Sequence, residues 1–154
     1  MNLLEHFVLQ HLQVTEVSAE LIKSSREGGT QEARVELNLT PRPMKTDAGG
    51  ALPAYMVNSR LSCFGGGEKQ AGPQFTAKVG FDVVYQQTSG DPVDIAEFSA
   101  NHASLTRQIY PLMQQELRAV LSRLGLEQIH LPFDLAARVT SSTRQTIQVS
   151  GSVH

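Results

Sequence analysis

One cysteine, Cys63, stands in 154 residues, so no intrachain disulfide framework is available and nothing points to oxidising export. Histidine is nearly as sparse. His6, His11, His102, His130 and His154 include no pair at the four-residue helical spacing of a zinc site. His6 and His11 stand five apart on an expected strand, which puts them on opposite faces. No metal or other cofactor is therefore expected. Charge is scarce at 18% and nearly balanced, with 15 acids against 13 bases and no Lys/Arg run, which excludes the basic footprint of a nucleic-acid binder. No apolar run approaches the roughly 20 residues of a membrane-spanning helix. The start, MNLLEHFVLQ, has no basic n-region and no long apolar segment, so a cytoplasmic chain is expected.

Active-site patterns are missing as well. Cys63 lies in a strand-like run and reads as a small core residue, with no base in view to activate it. The segment FGGGEKQ after it lacks the Gly-Lys-Ser/Thr ending of a phosphate loop and joins two strands, so it reads as a hairpin loop. Asp91 and Asp94 continue into no calcium-binding loop; their expected roles are turn and helix N-cap. The residues thus give no sign of an enzyme and lean towards a binding or assembly protein.

What is present is patterning. Phe7 to Ile22 mixes β-branched and polar residues with few breakers. Arg34 to Thr40 alternates strictly, with Val35, Leu37 and Leu39 on one face. Tyr55 to Phe64 is a third strand. Phe75 to Tyr85 is the clearest, with Phe75, Ala77, Val79, Phe81, Val83 and Tyr85 sharing a face. After Asp91-Pro92 the period changes. Asp94 and Glu97 have the spacing of a capping box, and a helical run is expected to reach Leu124, with Gly125 as the residue beyond its end. Leu105, Ile109, Leu112, Met113, Leu117, Val120, Leu121 and Leu124 recur at helical steps. Pro111 lies in the middle of this run, so it either starts the main helix or kinks it. The expected fold is α+β: a four-stranded antiparallel, meander-like sheet followed by one long amphipathic helix. A single domain spans 1–139, and 140–154 forms a polar tail, either disordered or adding one strand.

Three stretches carry a resemblance. Phe7 to Glu20, FVLQHLQVTEVSAE, resembles the opening strand of the SecB protein-export chaperone family, F-x-I-Q-R-I-Y-x-K-D-I-S-F-E. Ile109 to Leu117, IYPLMQQEL, resembles that family's L-F-P-Y-A-R-E-x-I, proline included. Gly125 to Leu135, GLEQIHLPFDL, is similar to the family's G-x-F-P-x-L-x-L-x-P-x-N-F-D-A-L in shorter form. The resemblance implies a homotetramer, a dimer of dimers, that holds unfolded or precursor polypeptides in apolar grooves without ATP. It also implies delivery of those clients to the SecA translocase.

Carried onto this chain, the groove residues are Tyr110, Leu112, Met113, Leu126, Ile129, Leu131 and Phe133. The SecA contacts are Glu16 and Glu20, with Glu68 in the Gly-rich loop as a third. This chain departs from the family in being far less acidic and in having a short leader and a different tail. Those departures bear on SecA more than on client holding. The alternative is a SecB-like binding protein for a dedicated partner such as an antitoxin.

Overall fold

The computed structural model describes residues 3–23, 33–44, 52–65, 74–126, 129, 131, 136–139 and 147–153. A single turn of helix, α1 (Leu3–His6), leads into β1 (Phe7–Lys23). Strands β2 (Ala33–Pro43), β3 (Ala54–Gly65) and β4 (Gln74–Gln87) follow. Then come α2 (Ile95–Ala100), α3 (His102–Arg123), β5 (Ala136–Val139) and β6 (Ile147–Val153). The α+β class and the four-strands-then-helix order are those expected from the sequence. Residues 147–153, in the segment read as a polar tail, are a strand.

All pairings are antiparallel, and the sheet runs β1-β4-β3-β2-β6-β5. Strands β2, β3 and β4 make the meander. β1 departs from it, because it pairs with β4 across the sheet instead of with its sequence neighbour β2. This is a Greek-key order read against the chain direction. β2 runs past the expected end at Thr40 to include Pro41 and Pro43. Among the described residues β6 pairs with β2 only as far as Leu39, so both prolines lie beyond that pairing, where a missing donor is tolerated.

β1 holds the least legible pattern. Its register against β4 shifts between Leu9 and His11, between Val14 and Glu16, and between Leu21 and Lys23. Each extra residue resets the side-chain alternation. Phe7, Leu9, Leu12, Val14, Val17, Ala19 and Leu21 therefore pair with Gln87, Tyr85, Val83, Phe81, Val79, Ala77 and Phe75. All the apolar residues of β1 that pair with β4's buried row share its face. Strict period two from Phe7 would have put His11, Gln13 and Thr15 there instead.

The helices cover that face. Asp94 caps α2, its Oδ1 accepting from the Glu97 amide at 2.7 Å. Asn101 then ends α2: its amide Nδ2 donates to the Glu97 carbonyl at 2.8 Å. A short polar side chain that competes for backbone groups thus splits the expected single helix in two. α3 runs unbroken through Pro111, so the proline does not start it. Pro111 and Arg107 are both exposed, so water can meet the Arg107 carbonyl that lost its i+4 donor. At the far end Gly125 has φ +74°, its amide donates to the Ser122 carbonyl, and Leu126 donates to Leu121. This is the paired-bond helix stop that a left-handed glycine permits.

The core lies between sheet and helices. Val35, Leu37, Val57, Leu61, Val79 and Val83 of the sheet are fully buried, as are Leu105, Ile109, Met113 and Leu117 of α3. At one end Phe7, Tyr55, Tyr85 and Phe98 cluster, with ring centroids 4.6 Å apart for Tyr55–Phe98 and 5.1 Å for Phe7–Phe98. Tyr85 donates to Gln108 Oε1 at 2.8 Å and ties α3 to β4, while Tyr55 donates to the Val93 carbonyl. Buried Gln87 shapes the loop before α2, donating to the carbonyls of Ser89 and Asp91 and accepting from the Val93 amide.

Candidate peptide-binding surface

The residues expected to line a groove divide sharply. Tyr110 and Met113 lie on the inward stripe of α3 and are buried. Leu126, Ile129 and Leu131 are buried too and belong to the same core cluster. In the single chain these five side chains belong to the core between helix and sheet, so their contacts are already taken. Leu112 alone points outward, at 39% exposure beside Pro111. Phe133 lies outside the described residues.

The exposed apolar surface is elsewhere. Among the described residues five of the seven exposed large apolar side chains are on β1: Val8, Val14, Val17, Leu21 and Ile22. Val14, Val17 and Leu21 sit on the core face of the sheet, next to buried Phe81, Val79 and Phe75 of β4. The core face thus continues past the cover of α3 onto an edge strand. The signal was in the sequence, in the spacing Leu12, Val14, Val17, Ala19, Leu21. It becomes readable only once the skipped residues are known.

The opposite, solvent face is polar. A concavity of about 490 Å³ opens there between Glu16, Asn38, Arg42, Asn58, Arg60 and Asp82. Gly80 makes it possible. Glu16 and Arg60 both pair with Gly80 from opposite sides, and its missing side chain lets them meet above β4, 3.4 Å apart. A Cβ at Gly80 would sit 3.0 Å from Thr15 Oγ1 and 3.2 Å from Glu16 Cβ. Asn58 donates to Asp82 at 2.6 Å.

The expected SecA contacts fall on this face with cations among them. Glu16 is engaged by Arg60, and Lys78 pairs with Ser18, between Glu16 and Glu20. Glu20 is exposed, and Glu68 lies outside the described residues.

Burial pushes the Cys63 thiol up to about 12, which suppresses the thiolate. Burial also raises Tyr85, and burial followed by the Asp94 charge raises Tyr55. His6 Nδ1 lies 3.2 Å from Ser89 Oγ, whose hydroxyl donates to the Glu5 carbonyl at 3.3 Å; the pair fastens α1 to the loop after β4. Among the described residues no group of three or more His, Cys, Asp or Glu is placed to hold a metal ion. None of the described helices is long and apolar enough to cross a membrane.

No protein-family model matches the sequence, and no curated protein matches it. The fold does match a solved structure. The chain is similar to a SecB-like chaperone of Mycobacterium tuberculosis, Rv1957, solved in complex with a ChAD peptide from the Rv1956 HigA1 antitoxin. The two are 16% identical, the match covers 86% of this chain and 93% of that one, and the TM-score is 0.58. The chain thus has a SecB-like fold.

Proposed function

We propose that the chain is an ATP-independent chaperone that holds extended, non-native polypeptide, serving a dedicated partner such as an antitoxin. It acts in the cytosol as a homotetramer, needs no cofactor and catalyses no reaction. The observation that carries this reading is the uncovered apolar strip on β1, on a fold shared with a SecB-like chaperone solved with a bound peptide. An unfolded segment exposes apolar side chains, and an apolar strip removes them from water without demanding a sequence. Repeated weak contacts along one client, multiplied across protomers, raise its residence through avidity.

Delivery to SecA has less support. The acids that would meet its basic tail stand among Arg60 and Lys78, and a neutralised pair attracts a cationic partner weakly.

Light scattering of a chemically unfolded model client tests the reading. Equimolar tetramer is expected to suppress aggregation without ATP; unchanged scattering overturns it. A SecA pull-down separates the two forms. No capture is expected. Capture that is lost in Glu16→Lys/Glu20→Lys would establish the export form instead.

A further inference from the structure

The concavity on the solvent face lies across the sheet from the apolar strip, and client holding does not use it. Its floor is the gap at Gly80 with the Asn58–Asp82 pair beside it, and one wall is the Glu16–Arg60 ion pair. That ion pair neutralises itself. Two charged groups of the lining remain, Arg42 and Asp82, and among the described residues neither meets an opposite charge. They stand on different strands. Asp82 pairs with Asn58, Asn58 pairs with Thr40, and Arg42 lies two residues further along β2. Two strand spacings and two residue rises put the Cα atoms of Arg42 and Asp82 about 12 Å apart. A free cation at one end and a free anion at the other thus face each other across an open polar space.

The amide between them is short of partners as well. Asn58 Nδ2 donates to Asp82 Oδ1 at 2.6 Å, and its other contact is the Met56 thioether at 3.6 Å, a weak acceptor. Asp82 fixes this orientation, since the flipped amide would set its oxygen against the carboxylate. Asn58 Oδ1 is left buried with no partner. Buried polar groups are nearly always paired, and a ligand N–H seated against Asp82 supplies the missing donor.

We propose that this concavity binds a small zwitterion of the α-amino-acid class, its ammonium on Asp82 and Asn58 and its carboxylate on Arg42. The charges of the site select the class. A simple anion would pair with Arg42 and leave Asp82 desolvated and unpaired; a simple cation would do the same to Arg42. A zwitterion answers both ends with charge-assisted hydrogen bonds. Asn38 and Thr40 at the edge are polar, so a small polar amino acid fits best. Arg42 is exposed, so water screens its pairing, and the expected dissociation constant is on the order of a millimolar.

Titration of the full chain, followed through backbone amide resonances, tests the proposal. The probes are L-serine and L-glutamine, with their N-acetyl and carboxamide derivatives, each of which lacks one of the two charges. The free amino acids are expected to bind, with shifts centred on Arg42, Asn58 and Asp82, and the derivatives to bind about tenfold more weakly. Arg42→Gln and Asp82→Asn should each weaken the free amino acids about tenfold, while Glu36→Gln, outside the concavity, should not. Arg42→Glu gives an independent arm. It removes the free cation, so the carboxamide forms should then bind better than the free amino acids. No saturable shift with either amino acid at about ten millimolar overturns the site. Equal binding of an N-acetyl form makes this an anion site on arginine, and equal binding of a carboxamide form makes it a cation site on the acids. Either result overturns the zwitterion.

Discussion

Pro111 removes a donor from the middle of α3, yet the helix continues. Its exposed setting is what makes this tolerable, since water replaces the missing partner. Some cost remains. Pro111→Ala restores the bond and is expected to stabilise the chain by about 1–3 kcal/mol in denaturant unfolding. A loss of stability would show that the ring makes contacts worth more than the bond. Cys63 sets a second residue-scale expectation. Its folded pKa, about 12, is raised above the ordinary thiol value by burial. The folded state thus holds the proton longer than the unfolded one. The associated stability is complete below the unfolded pKa near 9 and is lost as pH rises towards about 12. One proton corresponds to at most about 1.4 kcal/mol per pH unit. Cys63→Ala is expected to flatten the fall in stability between pH 9 and 10, read as the slope of unfolding free energy against pH. An unchanged slope would place the alkaline sensitivity elsewhere.

Elements in this protein owe their ends and bends to single residues with a backbone task. Gly125 holds φ +74°, and nothing crowds a Cβ there, so Gly125→Ala isolates conformational strain from packing. The substitution is expected to lower stability by about 1–2 kcal/mol, the left-handed penalty of an L-residue. A neutral result in thermal unfolding would mean that the turn relaxes. Asn101 divides α2 from α3 through its bond to the Glu97 carbonyl. On β1 the same logic runs through bulges. Gly80 leaves room for Thr15 and Glu16 to stand side by side, and this extra residue, with the one between Leu9 and His11, turns an irregular sequence into a continuous apolar face.

At the scale of the whole molecule, function depends on where cover stops. The helices seal the sheet over β2, β3 and β4, α2 against β2 and α3 against β3 and β4, and leave the second half of β1 open. Val14→Ser/Leu21→Ser is expected to preserve the far-ultraviolet dichroism spectrum. It should weaken the holding of an unfolded client by roughly tenfold, since each side chain loses most of about 1 kcal/mol of apolar contact. Retained holding would move the client surface to Leu112 and its surroundings. Polar substitution at Met113, Leu126, Ile129 or Leu131 is a different experiment, because these residues are core and their loss unfolds the chain.

By itself the sequence determined the fold class, the four leading strands, the cap at Asp94 and the stop at Gly125. Each is written locally: alternation in Arg34 to Thr40 and Phe75 to Tyr85, an acid before a helix, a glycine after one. It also held three motifs resembling SecB chaperones, which pointed to the fold the structure shows. Only the tertiary structure decided that β1 lies beside β4, that Asn101 splits the helix, and that most of the supposed groove residues are core. The physical reason is one of range. Period and capping depend on neighbours within a turn, whereas burial depends on which strand lies opposite and where the helix stops covering it. Leu126 and Val17 are both apolar in sequence; one is buried in the core, and the other stands on an edge that nothing in the described chain covers.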